Sequence, residues 1–200
     1  MEKKRCDWAA GLDLAVTYHD QEWGVPCYDD ARQFEFLVLE SAQAGLSWNL
    51  ILKKRQGYRA AFAQFNPEKV AAFGSGDVER LMADCGIIRN RLKIESTITN
   101  ARAFLELANK HGSFAKWLWD FVDGRPIQNQ LADFSKLAAN TVLSDTISKQ
   151  MKKLGFKFMG STVVYSHLQA TGLVNDHLID CFRYPVIKAM GEEGSPFSGS

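Results

Sequence analysis

Apolar residues along this chain recur with the period of an α-helix and seldom alternate, so the pattern predicts an all-α protein. The clearest case is 89–110, where Ile94, Ile98, Ala101 and Leu105 fall at helical spacing. Capping residues and glycines place the other boundaries. The predicted helices run from Asp29 or Asp30 to Ala44, from a Ser47 cap to Arg55, over 67–73 and 77–85, from a Ser113 cap to Val122, from a Ser144 cap to Leu154, after Gly160 to Thr171, and onward from near Asn175.

Three stretches lack such a pattern. The first thirty residues and residues 124–140 are expected to be irregular. Residues 191–200 are rich in Gly and Ser, which predicts a disordered tail. No linker divides the rest, so we expect residues 1–190 to form a single domain.

Composition narrows the class of protein only slightly. The net charge is +1 and 46% of residues are hydrophobic, as in ordinary globular proteins, so any nucleic-acid surface must come from local clusters of charge. No run is long enough to span a membrane, and the charged N-terminus is not a secretory signal. A cytoplasmic protein is therefore expected, with cysteines that are free thiols or metal ligands rather than disulfides.

Four residues near the two ends of the chain could bind a metal together. Cys6 and His19 lie in the N-terminal segment, and His177 and Cys181 are four residues apart in the predicted last helix, on one face. A Cys2His2 set suits tetrahedral zinc, and four protein ligands would make the metal structural. The alternative is two buried cysteines and two hydrogen-bonded histidines.

One carboxylate falls in an apolar helix. Glu40 follows the run 34–39, where it is expected to be partly buried and to need a partner or a role. Pairing with a nearby arginine, or reaching solvent, is the alternative. Several aromatic residues could form a pocket for a flat heterocycle with it, although each indole alone is as well explained by core filling. These are Trp8, Tyr18, Trp23 and Trp48.

The segment 152–162 predicts a short hairpin between two helices, bounded by Gly155 and Gly160. Free amides at the start of the second helix form an anion site, and Lys157 adds charge. Such an element can bind a DNA phosphate without reading sequence, but an ordinary helix-helix turn would look the same.

Taken together, these segments resemble the 3-methyladenine DNA glycosylase I family of the helix-hairpin-helix superfamily. The resemblance runs in family order from residue 5 to about 181. The matching stretches include Arg5-Cys6-Asp7-Trp8, 18–26, Leu39-Glu40, Gln43-Ala44-Gly45-Leu46-Ser47-Trp48, Gly86-Ile87-Ile88-Arg89, Gly155-Phe156-Lys157-Phe158 and Gly172-Leu173-Val174-Asn175-Asp176-His177.

The resemblance implies a helix-hairpin-helix glycosylase fold and a role for each candidate residue. A structural zinc on the four residues above would join the N-terminal segment to the C-terminal helix. Glu40 would recognise the base with Tyr18 as its hydroxyl partner, Trp48 would stack on the base, and Trp8 and Trp23 would line the pocket. The DNA contacts would be Gly45 and Leu46, facing the gap in the duplex, and Lys157, Gly160, Ser161 and Thr162 at the hairpin.

The chain departs from the wider superfamily at two places. Phe158-Met159-Gly160 keeps only the last glycine of the usual glycine-hydrophobic-glycine hairpin. Asn175 stands where many members of the superfamily carry a catalytic aspartate. The 3-methyladenine branch lacks that aspartate, so a mechanism with a carboxylate there is not expected.

The activity implied is hydrolysis of the N-glycosidic bond of 3-methyladenine, flipped out of double-stranded alkylated DNA. The free base and an abasic site are the products, without a lyase step because no lysine occupies the place of the lyase nucleophile. A monomer acting at the nucleoid is expected. The alternatives are a non-catalytic zinc-stabilised DNA-binding module, a glycosylase or lyase for another lesion, and an all-helical interaction protein.

Overall fold

Ten α-helices form most of the regular structure in this computed structural model, which describes residues 3–11 and 13–197. The helices are α1 Asp13–Gln21, α2 Asp30–Gln43, α3 Trp48–Ala61, α4 Pro67–Ala71, α5 Ser75–Ala83, α6 Arg91–His111, α7 Phe114–Trp119, α8 Val142–Lys153, α9 Ser161–Ala170 and α10 Arg183–Glu192. Two short parallel strands, β1 Ile127–Gln128 and β2 Val174–Asn175, pair Ile127 with Val174. The predicted, mostly helical fold is confirmed.

Side-chain caps begin several helices where the sequence places them. Asp29 accepts from the Arg32 amide at 2.8 Å, and Ser113 accepts from the Lys116 amide at 2.8 Å. The predicted Ser144 cap is wrong, because α8 begins three residues earlier. Thr141 is its cap, and Ser144 accepts a return bond from the Thr141 amide, which forms a capping box.

Two segments differ from expectation, and the candidate metal ligands therefore lie in other elements than the sequence predicts. The first thirty residues are not irregular throughout, since α1 contains His19. The last helix does not begin near Asn175. That residue lies in β2, and His177 and Cys181 lie in the turn segment that separates β2 from α10.

Helix α2 lies at the centre of the core. Its Phe34, Leu37, Val38 and Leu39 are fully buried, and it packs against α3, α6, α7 and α9. A second apolar cluster joins the N-terminal segment to the segment before α10. It contains Cys6, Tyr18, Trp23, Phe36, Leu52, Ala170, Leu178 and Cys181.

The C-terminal residues do not follow the prediction of a disordered tail from residue 191. Helix α10 runs to Glu192, and Ser195 is buried with its amide donating to the Gly124 carbonyl at 3.0 Å. Phe197 packs edge-on against Tyr28. A backbone hydrogen bond and a ring contact therefore hold 191–197 against the rest of the protein, whereas 198–200 lie outside the described residues.

In the part of the chain that the structure describes, no helix combines the length and the apolar character needed to cross a membrane.

Candidate functional site

A cavity of about 320 Å³ opens between the N-terminal segment, α2, α3 and α9. The four aromatic residues expected in a pocket all line it, and so does Glu40. The lining residues are Trp8, Tyr18, Trp23, Glu40, Gln43, Trp48, Phe134, Leu137, Ser166 and Gln169.

Aromatic rings make most of the cavity wall. The Trp8 and Trp23 rings meet edge to face with centroids 4.9 Å apart, and the Tyr18 and Trp48 rings are 5.2 Å apart. The indole N–H of Trp48 is buried without a hydrogen-bond partner among the described residues. Flat apolar walls with few polar groups suit a planar heterocycle.

Glu40 is the acidic group of this cavity. It is 4% exposed, and its Oε2 has no hydrogen-bond partner in the described structure. Burial raises the pKa of its carboxyl to about 8, and burial together with the nearby Glu40 raises the pKa of Tyr18. A pKa of about 8 favours the protonated carboxyl at neutral pH.

Arginine pairing, the alternative role for Glu40, is used by other carboxylates. Arg55 Nε donates to Glu35 Oε1 at 2.9 Å, and Arg59 donates to the same oxygen at 2.8 Å. Arg55 also pairs with Glu22 at 2.9 Å. These pairs join the turn after α1 to α2 and α3, and none of them involves Glu40.

Three of the four candidate metal ligands come together. Donor atoms of Cys6, His19 and Cys181, all buried, lie within 4.8 Å of one another. The His177 donor atoms are outside that group, although its ring centroid is 5.1 Å from that of His19. His177 Nε2 is buried without a partner in the described structure, so its free nitrogen still needs one.

The surroundings of the cluster fit a metal bound through sulfur and imidazole. His19 Nδ1 lies 2.8 Å from Asp20 Oδ1, and His177 Nδ1 lies 3.1 Å from Asn175 Oδ1. Such contacts fix a histidine so that Nε2 is the ligand. The amides of Leu178 and Arg183 donate to the Cys6 and Cys181 sulfurs at 3.5 Å. The hydrogen bond with Cys6 lowers the pKa of Cys181 to about 4, and the same pairing raises the pKa of Cys6.

A hairpin joins α8 to α9, as predicted. Phe158, at the place of the missing glycine, has φ +54° and so adopts the left-handed backbone that glycine would otherwise supply. Gly160 caps α9, followed by Ser161 and Thr162, whose amides begin the helix. Asn100 of α6 fixes the hairpin, accepting from the Lys157 amide at 2.7 Å and donating to its carbonyl at 2.9 Å.

The turn between α2 and α3 carries the other expected DNA contacts. Gly45 has φ +80° and open space around its Cα, and Leu46 is partly buried beside it. Lys93 holds this turn, donating to the Ala42 and Ala44 carbonyls at 2.7 and 2.6 Å.

Several lining residues were missed from sequence. Phe134 and Leu137 lie in and beside a 3-10 helix within the stretch read as irregular. Ser166 and Gln169 are one turn apart on α9, a spacing that could have indicated a shared polar face. Asn175 is fully buried and is not among the residues that line the cavity. Its side-chain amide donates to Gln128 Oε1 at 2.8 Å, and its Oδ1 lies 3.1 Å from Nδ1 of His177, so it supports that histidine.

These features define a class, a mostly helical protein with an acidic group in an aromatic pocket beside two helices that a short turn joins. The family model described as methyladenine glycosylase matches residues 8–184. DNA-3-methyladenine glycosylase 1 of Escherichia coli (strain K12) is 50% identical over 91% of this chain and 97% of its own length. DNA-3-methyladenine glycosylase of Haemophilus influenzae is 42% identical over 88% and 96%.

A solved structure shows the same fold. It concerns 3-methyladenine recognition by 3-methyladenine DNA glycosylase I from Staphylococcus aureus. That chain is 40% identical, with a TM-score of 0.88 over 90% of this chain and 96% of the other. The chain belongs to the methyladenine glycosylase family. The predicted family and the prediction of a glycosylase enzyme are confirmed.

Proposed function

We propose that this enzyme acts in base-excision repair by hydrolysing the N-glycosidic bond of 3-methyladenine in alkylated DNA. It releases the free base and leaves an abasic site. The relatives from E. coli and H. influenzae are named for this base, and the S. aureus structure concerns its recognition. The observation that carries the proposal is the buried Glu40 carboxyl in the wall of an aromatic cavity, whose Oε2 has no hydrogen-bond partner among the described residues.

The cavity selects the lesion by its charge. Methylation at N3 gives adenine in DNA a formal positive charge. Stacking of a cation on the face of Trp48 contributes about 0.5–2 kcal/mol. A cation beside Glu40 lowers the pKa of the carboxyl, so binding releases its proton and the carboxylate accepts from the exocyclic amine. Neutral adenine gains neither interaction.

Access to the cavity requires base flipping, because a stacked base cannot reach a pocket inside the protein. Gly45 and Leu46 face the gap left in the duplex. The amides of Gly160, Ser161 and Thr162, with Lys157 nearby, hold a backbone phosphate. Double-stranded DNA is therefore the partner. The protein acts on it as a monomer at the nucleoid, with residues 1–190 as a single domain.

Hydrolysis proceeds without a lyase step. No lysine lines the cavity among the described residues, which supports a reaction that forms no imine with the enzyme. Asn175 in place of an aspartate supports a mechanism without a second carboxylate.

Cys6, His19, His177 and Cys181 would hold a zinc ion, because their buried sulfurs and imidazoles form a donor set that zinc prefers. With four protein ligands the ion is a structural cross-link. It ties the N-terminal segment and α1 to the turn segment before α10.

The test measures free 3-methyladenine, separated by chromatography, after incubation with methylated duplex DNA. Wild type should release it, and Glu40→Gln should release it about 10²-fold more slowly while its fold is retained. Glu106→Gln, an exposed position on α6, is the matched control and should match wild type. A wild-type protein that binds this DNA and releases no base would contradict the proposal in favour of a binding module, and a borohydride-trapped imine would indicate a lyase.

A further inference from the structure

Helix α9 contributes polar side chains to a second wall of the cavity, apart from Glu40 on α2. These side chains are neutral hydrogen-bonding groups and not acids. Gln169 lines the cavity, and its Nε2 donates to Asp176 Oδ2 at 2.7 Å. Asp176 is 1% exposed. The Tyr165 hydroxyl and the Asn129 amide also donate to it, both at 2.6 Å. Three donors therefore converge on this carboxylate.

This contact fixes which end of the Gln169 amide faces the cavity. A carboxylate that receives donors on both oxygens offers the amide only acceptors, so the NH2 group of Gln169 must face Asp176. No described protein group donates to the side-chain carbonyl of Gln169. That oxygen is the atom of the Gln169 amide that remains able to accept a hydrogen bond in the cavity.

Ser166 adds a second acceptor on the same wall. Its hydroxyl donates to the Thr162 carbonyl at 3.2 Å, so the lone pairs of Oγ remain available. Ser166 and Gln169 lie one helical turn apart, on the same face of α9. Two acceptors can receive both protons of one water molecule and leave an oxygen lone pair free.

We infer that Gln169, held by Asp176, binds the water that attacks the sugar. This inference rests on the proposed glycosylase function. The water oxygen bonds to the anomeric carbon, and the glycosidic bond breaks with its electron pair passing to the cationic base. The base leaves neutral, and the surplus water proton passes to solvent. Gln169 contacts the nucleophile, and Asp176 is a positioning residue that acts through it.

The position of α9 agrees with this role. The N-terminus of α9 carries the proposed phosphate site, so this wall is the one next to the DNA backbone and its sugars. Glu40 reaches the cavity from α2. Helix α2 thus supplies the group that contacts the base, and helix α9 supplies the group that binds the attacking water.

The test uses the full chain with enzyme in excess over methylated duplex DNA, so that the chemical step is measured. Gln169→Met keeps the length of the side chain and removes the acceptor. Its rate should fall about 10²-fold. Its Kd for free 3-methyladenine, followed by tryptophan fluorescence, should stay within about twofold of wild type. A weaker Kd in parallel with the rate would make Gln169 a base contact and overturn the inference.

Asp176→Asn tests positioning. An asparagine can donate to the Gln169 carbonyl, which turns the amide so that its NH2 group faces the cavity. The rate should fall as in Gln169→Met, and the double variant should be no slower than either single variant. Losses that multiply would show a separate structural role for Asp176 and refute positioning.

Gln56→Met is the matched control, because it makes the same substitution at an exposed glutamine on α3, outside the cavity. It should keep the wild-type rate. If Gln169→Met is as fast as wild type, the inference fails while the glycosylase proposal stands. If wild type itself releases no base, the glycosylase proposal fails.

Discussion

The Glu40 carboxyl lies where α2 is apolar almost all round, and this burial affects stability as well as chemistry. Its pKa is about 8 in the folded protein against an ordinary 4.5. A raised folded pKa means that the group's stabilising contribution is complete below pH 4.5 and is lost as the pH rises through about 8. The unfolded chain ionises first and becomes relatively more stable.

Wild type should therefore lose a few kcal/mol of unfolding free energy, relative to Glu40→Gln, between about pH 4.5 and about pH 8. Urea denaturation of both variants across this range measures the difference. All other titratable groups are the same in both proteins, so their contributions cancel. A difference that does not change with pH would show that burial does not raise the pKa of Glu40 in the folded protein.

Pocket residues could be predicted from the sequence where the residue type is unusual for its surroundings along the chain. A carboxylate in an apolar helix and several indoles near one end of the chain are visible without coordinates. Gln169 and Phe134 are not, because a glutamine on a helix and a phenylalanine in a loop each suit many places. Only the packing of α9 and of 134–137 against α2 and the N-terminal segment brings them to the cavity.

At the scale of elements, the hairpin depends on one side chain from a distant helix. Asn100 is fully buried, and it satisfies both backbone groups of Lys157. Asn100→Ala leaves these groups unpaired and should cost about 1–3 kcal/mol of unfolding free energy. The hairpin should also loosen, so binding of undamaged duplex DNA should weaken while free 3-methyladenine still binds.

Thermal melts and fluorescence anisotropy with labelled duplex measure the two effects. Thr99→Ala is the control, since Thr99 lies on the same helix, is only partly buried, and its hydroxyl donates to the Glu95 carbonyl within α6. It should leave both values near wild type. Unchanged DNA binding in a destabilised Asn100→Ala would separate the hairpin from the DNA contact.

Helix boundaries were predictable where one cap residue stood alone, as at Ser47 and Ser113. At α8, Thr141 and Ser144 can both cap, and the structure uses them as a reciprocal pair. The four-residue spacing of His177 and Cys181 suggested a helix, but the pairing of β2 with β1 and the bond from the His177 amide to Asn175 Oδ1 set a different backbone. Both depend on tertiary contacts that local pattern does not contain.

At the scale of the whole molecule, the cysteine and histidine cluster lies where the N-terminal segment meets the segment before α10, beside the cavity. The Trp8 ring lies 5.4 Å from the His19 ring, and the Trp23 ring lies 4.5 Å from the His177 ring. Tyr18 adjoins His19 in α1. Three side chains that line the cavity therefore belong to the N-terminal segment that the proposed zinc would cross-link.

Removal of zinc with a chelator, or the substitution Cys6→Ser, should therefore lower Tm and abolish binding of free 3-methyladenine. Binding of undamaged duplex should persist, because the hairpin between α8 and α9 is held by Asn100 and not by the cluster. Cys85→Ser, at an exposed cysteine outside the cluster, should retain metal, Tm and base binding. Metal analysis, thermal melts and base titration distinguish the results. If Cys6→Ser kept both Tm and base binding, the N-terminal walls would be held by apolar packing alone, and the metal would have no part in building the pocket.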